Sequence, residues 1–143
     1  MGTILLTGGA GYVGAVLVPK LLAGGHRVKV VDLFLYADED IFSPVAVKEG
    51  KLQLLKMDLR DSTALKAALQ DVDVVINLAG VSNDPSSDLD PMLTRQVNIE
   101  ATQSLIEFSK ASGVKRFINA SSSSVYGIKN EPDVTEALSL EPL

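Results

Sequence analysis

The chain has 143 residues, 46% of them hydrophobic, which is the length of one domain and enough apolar matter to bury a core without metals or cross-links. It contains no cysteine, which excludes disulfides and thiolate metal sites and fits a reducing, cytoplasmic setting. A net charge of −5 without any cluster of Lys and Arg argues against nucleic acid as a partner, and no apolar run approaches the length of a membrane span.

Apolar runs rich in β-branched residues alternate with stretches of helical period, the pattern of an α/β fold with a parallel sheet. Met1-Gly2 could open an acylation signal, but Leu6 stands where Ser or Thr is required and Gly2 leads into a strand. Thr3 to Thr7 is the first predicted strand. Tyr12 to Ala23 is the first helix, closed by Gly24-Gly25, with Pro19 inside it expected to kink it or remove one hydrogen bond. Arg27 to Val31 is a second strand ending at Asp32, Leu52 to Met57 is a third, and the segment 33–50 between them has no clear period. Asp61-Ser62 caps a short helix through Leu69, and Val72 to Leu78 is a fourth strand of the continuously apolar kind.

The helix 91–112 is the clearest element, with Asp90 as N-cap, Pro91 as first residue and Gly113 as stop. Leu93, Val97, Ala101, Leu105 and Phe108 recur on it at helical spacing and are expected to face the sheet. Ile99 and Ile106 lie off that stripe and suggest a second apolar side, for another helix or a second subunit. Lys115 to Ala120 is the fifth strand, and 131–143 reads as loop. No repeat or linker divides the chain.

Gly8, Gly11 and Gly14 form Gly-x-x-Gly-x-x-Gly, and Gly9, Gly11 and Gly14 also satisfy Gly-x-Gly-x-x-Gly. A turn this tight, approached by phosphate and packed under a helix, has no room for Cβ atoms. The same glycines could mark an ordinary strand-turn-helix corner, but here they follow an apolar strand and open an amphipathic helix. The amides of Tyr12 and Val13 would start that helix and attract an anion. A second strand then ends in Asp32, at the distance of about 20 residues expected of a ribose ligand, with Leu33 beside it. Asp32 can accept from both ribose hydroxyls and would repel the 2′-phosphate of NADP, so the expected cofactor is NAD. Asp38-Glu39-Asp40 reads as a solvated acidic loop, and no metal site is expected.

These residues resemble the N-terminal half of an extended short-chain dehydrogenase/reductase, the group that includes nucleotide-sugar epimerases and dehydratases. The resemblance covers nearly the whole chain. It implies a Rossmann-type doubly wound parallel sheet of order 3-2-1-4-5, with residues 1–143 forming one NAD-binding domain truncated before the later strands and the substrate domain. Asp58-Leu59-Arg60-Asp61 is similar to the family's turn after its third strand, which implies that Asp58 meets the adenine amino group with the Leu59 amide alongside. Asn77-Leu78-Ala79-Gly80 is similar to the fourth-strand end, so Leu78, Ala79, Gly80, Val81 and Ser82 are expected to line the wall beneath ribose and nicotinamide; many relatives carry His where Asn77 stands. Asn98 matches a family asparagine that reaches the cofactor, although an Asn there would equally serve as a half-buried helix polar group.

Ala120-Ser121-Ser122-Ser123-Ser124-Val125-Tyr126-Gly127 resembles the fifth-strand exit, which implies that Ser122 hydrogen-bonds the reacting sugar oxygen and is the catalytic residue of this chain. Taken alone the serine run would read as a polar turn. Dehydratase relatives carry Asp-Glu immediately after this position, where Ser123 and Ser124 stand here, and this argues against elimination of water. The sole histidine, His26, is expected in the turn entering the second strand, at the far end of the sheet from Ser122, so no Ser-His relay forms.

The family's proton-transfer pair is a Tyr with Lys four residues later. Here Tyr12, Tyr36 and Tyr126 are followed at that distance by Val16, Asp40 and Asn130, and Lys129 comes one residue early. The chain reaches Glu141-Pro142-Leu143 just where relatives approach that helix, so it is expected to be the cofactor half of an epimerase or reductase whose substrate is a nucleotide-sugar. The other reading is a short module that senses NAD(H) without chemistry. An open fifth-strand edge and apolar surface on 91–112 would favour a homodimer through that helix.

Overall fold

The computed structural model describes residues 2–36 and 41–142, without the side chain of Asp84; the acidic triplet Asp38-Glu39-Asp40 lies outside the described residues. Strands β1 (Thr3–Thr7), β2 (Arg27–Asp32), β3 (Leu52–Lys56), β4 (Val74–Asn77) and β5 (Arg116–Asn119) pair in parallel in the order β3-β2-β1-β4-β5. All five residues of β1 are buried because the central strand is covered on both faces. Ile4 and Leu6 join Val28, Val30, Leu52 and Ile76 on one face, while Leu5 joins Val31 and Val75 on the other.

Helices α1 (Tyr12–Ala23) and α2 (Pro44–Lys48) cover the first face through Leu17, Val18, Leu21 and Ala46. Helix α3 (Ser62–Ala68) and the helix over 91–111 cover the second through Leu65, Leu69, Ala101 and Leu105. The connections from β1 and β4 therefore leave the sheet toward opposite faces, and a crevice opens between them at the carboxyl ends of the strands. Lys29 donates from its ammonium to the carbonyls of Ala68 (3.1 Å) and Gln70 (2.5 Å), closing the end of α3; burial lowers its pKa.

Helix α1 runs through Pro19 without a break, because Pro19 and Ala15, whose carbonyl loses its partner, are both on the exposed side. Gly25, at φ +81°, ends it: the amides of Gly25 and His26 bond back to Leu22 and Leu21. Asp61 caps α3 by accepting from the amides of Thr63 and Ala64.

The expected helix 91–112 is not one regular element. A short helix α4 (Asp84–Leu89), capped by Asn83, precedes it, and the helix itself consists of α5 (Pro91–Arg95), a wide π turn (Gln96–Ala101) and α6 (Thr102–Ala111). The wide turn rotates the buried side, so that Ala101, Leu105 and Ser109 face the sheet whereas Leu93, expected there, is 37% exposed. The segment 33–50, without period in the sequence, carries α2, a helix too short to show one. Among the described residues no helix is long and apolar enough to cross a membrane, and no group of three or more His, Cys, Asp or Glu could hold a metal ion.

Candidate functional site

Because the strands are parallel, the exits of β1, β2, β3, β4 and β5 lie at one end of the sheet, and every expected site residue falls on one of them or on the helix beside them. His26 lies at the other end, its amide bonded to Leu21.

The glycine turn is shaped by three different neighbours. Gly8, at φ +67°, would place a Cβ 2.7 Å from the amide nitrogen of Ala79, so the β1 exit is pressed against the β4 exit. A Cβ on Gly9 would meet Leu6 and Val30 in the core, and one on Gly14 would collide with the carbonyl of Gly9. Gly11 differs. A Cβ there meets only the Gly8 carbonyl oxygen, at 3.2 Å, so packing scarcely demands a glycine, and the missing side chain leaves the surface of the turn bare. No side chain caps α1 and no acid stands in its first turn, so the opening amides beside Tyr12 and Val13 face outward unmet by protein side chains.

Asp32 is half-buried at the end of β2. One of its carboxylate oxygens accepts from the amide of Ala10 and the other from the amide of Phe34, both at 2.9 Å, so it ties the glycine turn to the β2 exit. Each oxygen keeps a second acceptor position, which is what two ribose hydroxyls would need. Leu33 beside it is 41% exposed, and Phe34 turns into the core at φ +53°.

At the β3 exit Asp58 is gripped by Arg60 through the arginine's backbone amide, Nε and Nη2, the last at 2.6 Å, and the guanidinium holds the Asp58 carboxyl below its usual range. Leu59 is buried in the second core face, leaving its backbone rather than its side chain for contact. Arg60 also donates from Nη1 to Gln96 Oε1, at 2.9 Å, on the π turn.

The β4 exit is held from below and from the side. Thr7, Asn77 and Asn119 occupy the same rung of the sheet, and their side chains form a chain: Thr7 Oγ1 donates to Asn77 Oδ1, and Asn77 Nδ2 donates to Asn119 Oδ1 at 2.8 Å. From the π turn, Asn98 accepts from the amide of Val81 at 2.8 Å and donates to its carbonyl at 2.9 Å, which fixes the path Leu78-Ala79-Gly80-Val81-Ser82. Gly80 packs under Asn98, where a Cβ would lie 3.2 Å from Oδ1.

At the β5 exit Ser122 caps a 3₁₀ turn (Ser123–Tyr126), its Oγ accepting from the amide of Ser124 at 3.1 Å. The residues 139–141 fold back on this turn: the Glu141 amide donates to the Val125 carbonyl, and the ammonium of Lys129 bonds Ser139 at 2.9 Å and Glu141 at 3.0 Å. The Ser139 hydroxyl, which donates to Glu141, and after it the Lys129 ammonium hold the Glu141 carboxyl below its usual range.

Sequence reasoning did not assign Thr7, Arg60, Gln96, Asn119 or Lys129. One signal was present: a polar residue ends each of three strands that the order 3-2-1-4-5 sets side by side, at Thr7, Asn77 and Asn119.

A family model described as the NAD dependent epimerase/dehydratase family matches residues 4–143. UDP-glucose 4-epimerase 2 of Oryza sativa subsp. japonica is 36% identical over 146 aligned residues, covering 98% of this chain and 36% of the relative. The UDP-Glc/GlcNAc 4-epimerase of Campylobacter jejuni superposes with a TM-score of 0.88 at 27% identity, over all of this chain and 44% of that one. A UDP-glucose-4-epimerase of Stenotrophomonas maltophila, solved with bound NAD and formylated UDP-arabinopyranose, gives 0.86 at 26% identity, over 98% of this chain and 43% of that one. The chain thus spans roughly two fifths of the length of these relatives.

Proposed function

The chain belongs to the NAD dependent epimerase/dehydratase family, and from that premise we propose that it forms the NAD-binding half of an enzyme that epimerises or reduces a nucleotide-activated sugar. The observation that carries this reading is the bare, uncapped glycine turn at Gly11, set where the β1 and β4 connections part and flanked by Asp32, Asp58 and the Asn98-braced wall. Gly8, Gly11 and Gly14 with the amides of Tyr12 and Val13 would receive the pyrophosphate, and Asp32, with Leu33 beside it, the adenosine ribose. Asp58 and the Leu59 amide would take the adenine, and Leu78, Ala79, Gly80, Val81 and Ser82, with Asn98 behind them, the nicotinamide side. When bound, NAD supplies the site for hydride exchange at a sugar carbon.

Ser122 uses its oxygen to accept from the Ser124 amide, which leaves its O–H free to donate to a sugar oxygen and hold that carbon in place. The epimerase and reductase readings rank above elimination because Ser123 and Ser124 stand beside it, neither of them an acid able to protonate a departing hydroxyl.

The test is calorimetric titration of the chain with NAD and NADP, for wild type and Asp32→Ala. Removing a charged acceptor should weaken NAD about tenfold or more while NADP changes little, because NADP meets less repulsion once the carboxylate is gone. Equal losses for both would remove Asp32 from the ribose. Tight calorimetric binding of NADH by a gene product that carries no Tyr-x-x-x-Lys pair beyond Leu143 would instead favour the sensing module. A homodimer through 91–112 is the further expectation, with Met92 63% and Ile99 44% exposed on that helix; sedimentation of an Ile99→Asp variant as the same species as wild type would argue against it.

A further inference from the structure

We propose that Lys129 is a positioning residue for Ser122: by fastening the segment 139–141 across the 3₁₀ turn, it fixes the serine hydroxyl in a region the hydrophobic core does not reach. The proposal rests on the reading of Ser122 as a donor to the sugar. Among the described residues neither face of the core includes one beyond Phe117, and Ser121, Ser122, Ser123 and Ser124 are all exposed. A polar turn with no buried apolar contacts depends on its hydrogen bonds for order. Among the described residues, the stretch 121–127 makes one hydrogen bond to another segment, the Val125 carbonyl accepting from the Glu141 amide at 2.9 Å.

Glu141 is held at that point by contacts of its own. Its carbonyl packs against Gly127, at φ +67°, where a Cβ would collide with it. Its carboxylate accepts from the Ser139 hydroxyl at 2.7 Å and from the Lys129 ammonium at 3.0 Å, and the ammonium donates also to Ser139 at 2.9 Å. Lys129, Ser139 and Glu141 thus close a ring that gathers both ends of the loop 130–138, against the entropy of that loop. An exposed ion pair would hold it weakly. The Lys129 side chain is only 7% exposed, so its contacts are shielded from water and salt. Ser122 pins the start of the turn through the Ser124 amide, and Glu141 pins its end through Val125. Held at both ends the turn keeps one conformation and Ser122 one rotamer; a single 3₁₀ turn released at one end has too few bonds to persist.

The experiment measures backbone amide relaxation and the Ser122 side-chain couplings of the chain by NMR, together with its affinity for NAD. In wild type the amides of 122–127 should show order parameters of about 0.85 and Ser122 a single χ1 rotamer; in Lys129→Met the order should fall below about 0.6 and χ1 should average. Phe117 and Ile118 on β5 should keep their order and NAD should bind as to wild type, because neither depends on the segment 139–141. Methionine follows the path of the lysine stem, and Glu141, 65% exposed, turns to water, so no buried group is orphaned. Glu141→Gln leaves an oxygen for the ammonium and should retain the order of wild type. Wild-type order and a single Ser122 rotamer in Lys129→Met would overturn the proposal. So would a loss of order that spreads into β5, or a Lys129→Met chain that does not fold, since either would make Lys129 a support of the whole fold. A wild type that binds no NAD, with the turn loosened in Lys129→Met alone, would overturn the dinucleotide reading and leave the hold of Lys129 on Ser122 in place.

Discussion

Replacing Asn77 by leucine tests the polar rung that holds the β4 exit. Asn77 is 3% exposed and Thr7 is 0% exposed, and their side chains bond each other in the interior, while Asn119 at the outer end of the chain is open to solvent. Asn77→Leu keeps the branching of the side chain but leaves the Thr7 hydroxyl buried without its partner, at a cost of about 1 to 3 kcal/mol; Asn119 turns to water and adds little. Thr7→Val strands Asn77 Oδ1 by the same mechanism and should cost about as much. If about 2 kcal/mol is taken for each, additive effects would give about 4 for the double variant. Removing both partners leaves no orphan, so the double variant should lose only about 2 kcal/mol, a coupling near 2. Urea denaturation of the four proteins measures it, and in a chain of 143 residues each kcal/mol should also move the melting temperature by about 4 °C. A double variant that loses the full sum would show that the two side chains do not depend on each other, and the rung would not be what holds the β4 exit.

Three further outcomes follow from the same geometry. Gly14→Ala should destabilise the fold by about 3 kcal/mol or more, since its Cβ collides with the Gly9 carbonyl, whereas Gly11→Ala should leave thermal stability nearly unchanged and weaken NAD binding in calorimetry; equal destabilisation by the two would refute the separate roles given to them. Asn98→Leu removes both bonds to Val81 and should weaken NAD binding about tenfold while AMP, which does not reach the β4 exit, binds as before. At the far end of the sheet, Lys115 first and the Thr3 amide second depress the Asp73 carboxyl below its ordinary 3.8. A depressed carboxylate stabilises the fold above its unfolded pKa and loses that contribution as pH falls through the folded value. The stability advantage of wild type over Asp73→Asn should therefore be present at neutral pH and disappear on acidification below about pH 4, as followed by urea denaturation across pH.

The parts legible in the sequence are those whose cause is local. The five strands follow from runs of Val, Ile and Leu that only a sheet covered on both faces can bury, and four of them begin and end within one residue of the expected bounds. The fourth apolar run, Val72 to Leu78, is longer than β4 because apolar residues continue past the ladder into the turns, where Val72 packs in the core without pairing. Asp61, Asp90 and Gly25 act on the backbone two or three residues away, so their caps could be read directly. The positive φ of Gly8 belongs to the same class.

The π turn was invisible because its cause is distant. Asn98 gains two bonds to Val81, seventeen positions back in the chain, and no period in 91–112 encodes them. The same holds for Lys129, whose ammonium is buried only because 139–141 fold back upon it.

By itself, then, the sequence determined the alternation of strands and helices, the bare glycine turn and the acid that follows it, because burial on two faces and backbone freedom at glycine act within a few residues. Tertiary structure decided how those parts are held: Asp32 spanning two strand exits, Arg60 reaching Gln96 beside the β4 exit, and Thr7, Asn77 and Asn119 meeting on one rung. Each of these joins groups that only the order of parallel strands brings within hydrogen-bonding distance.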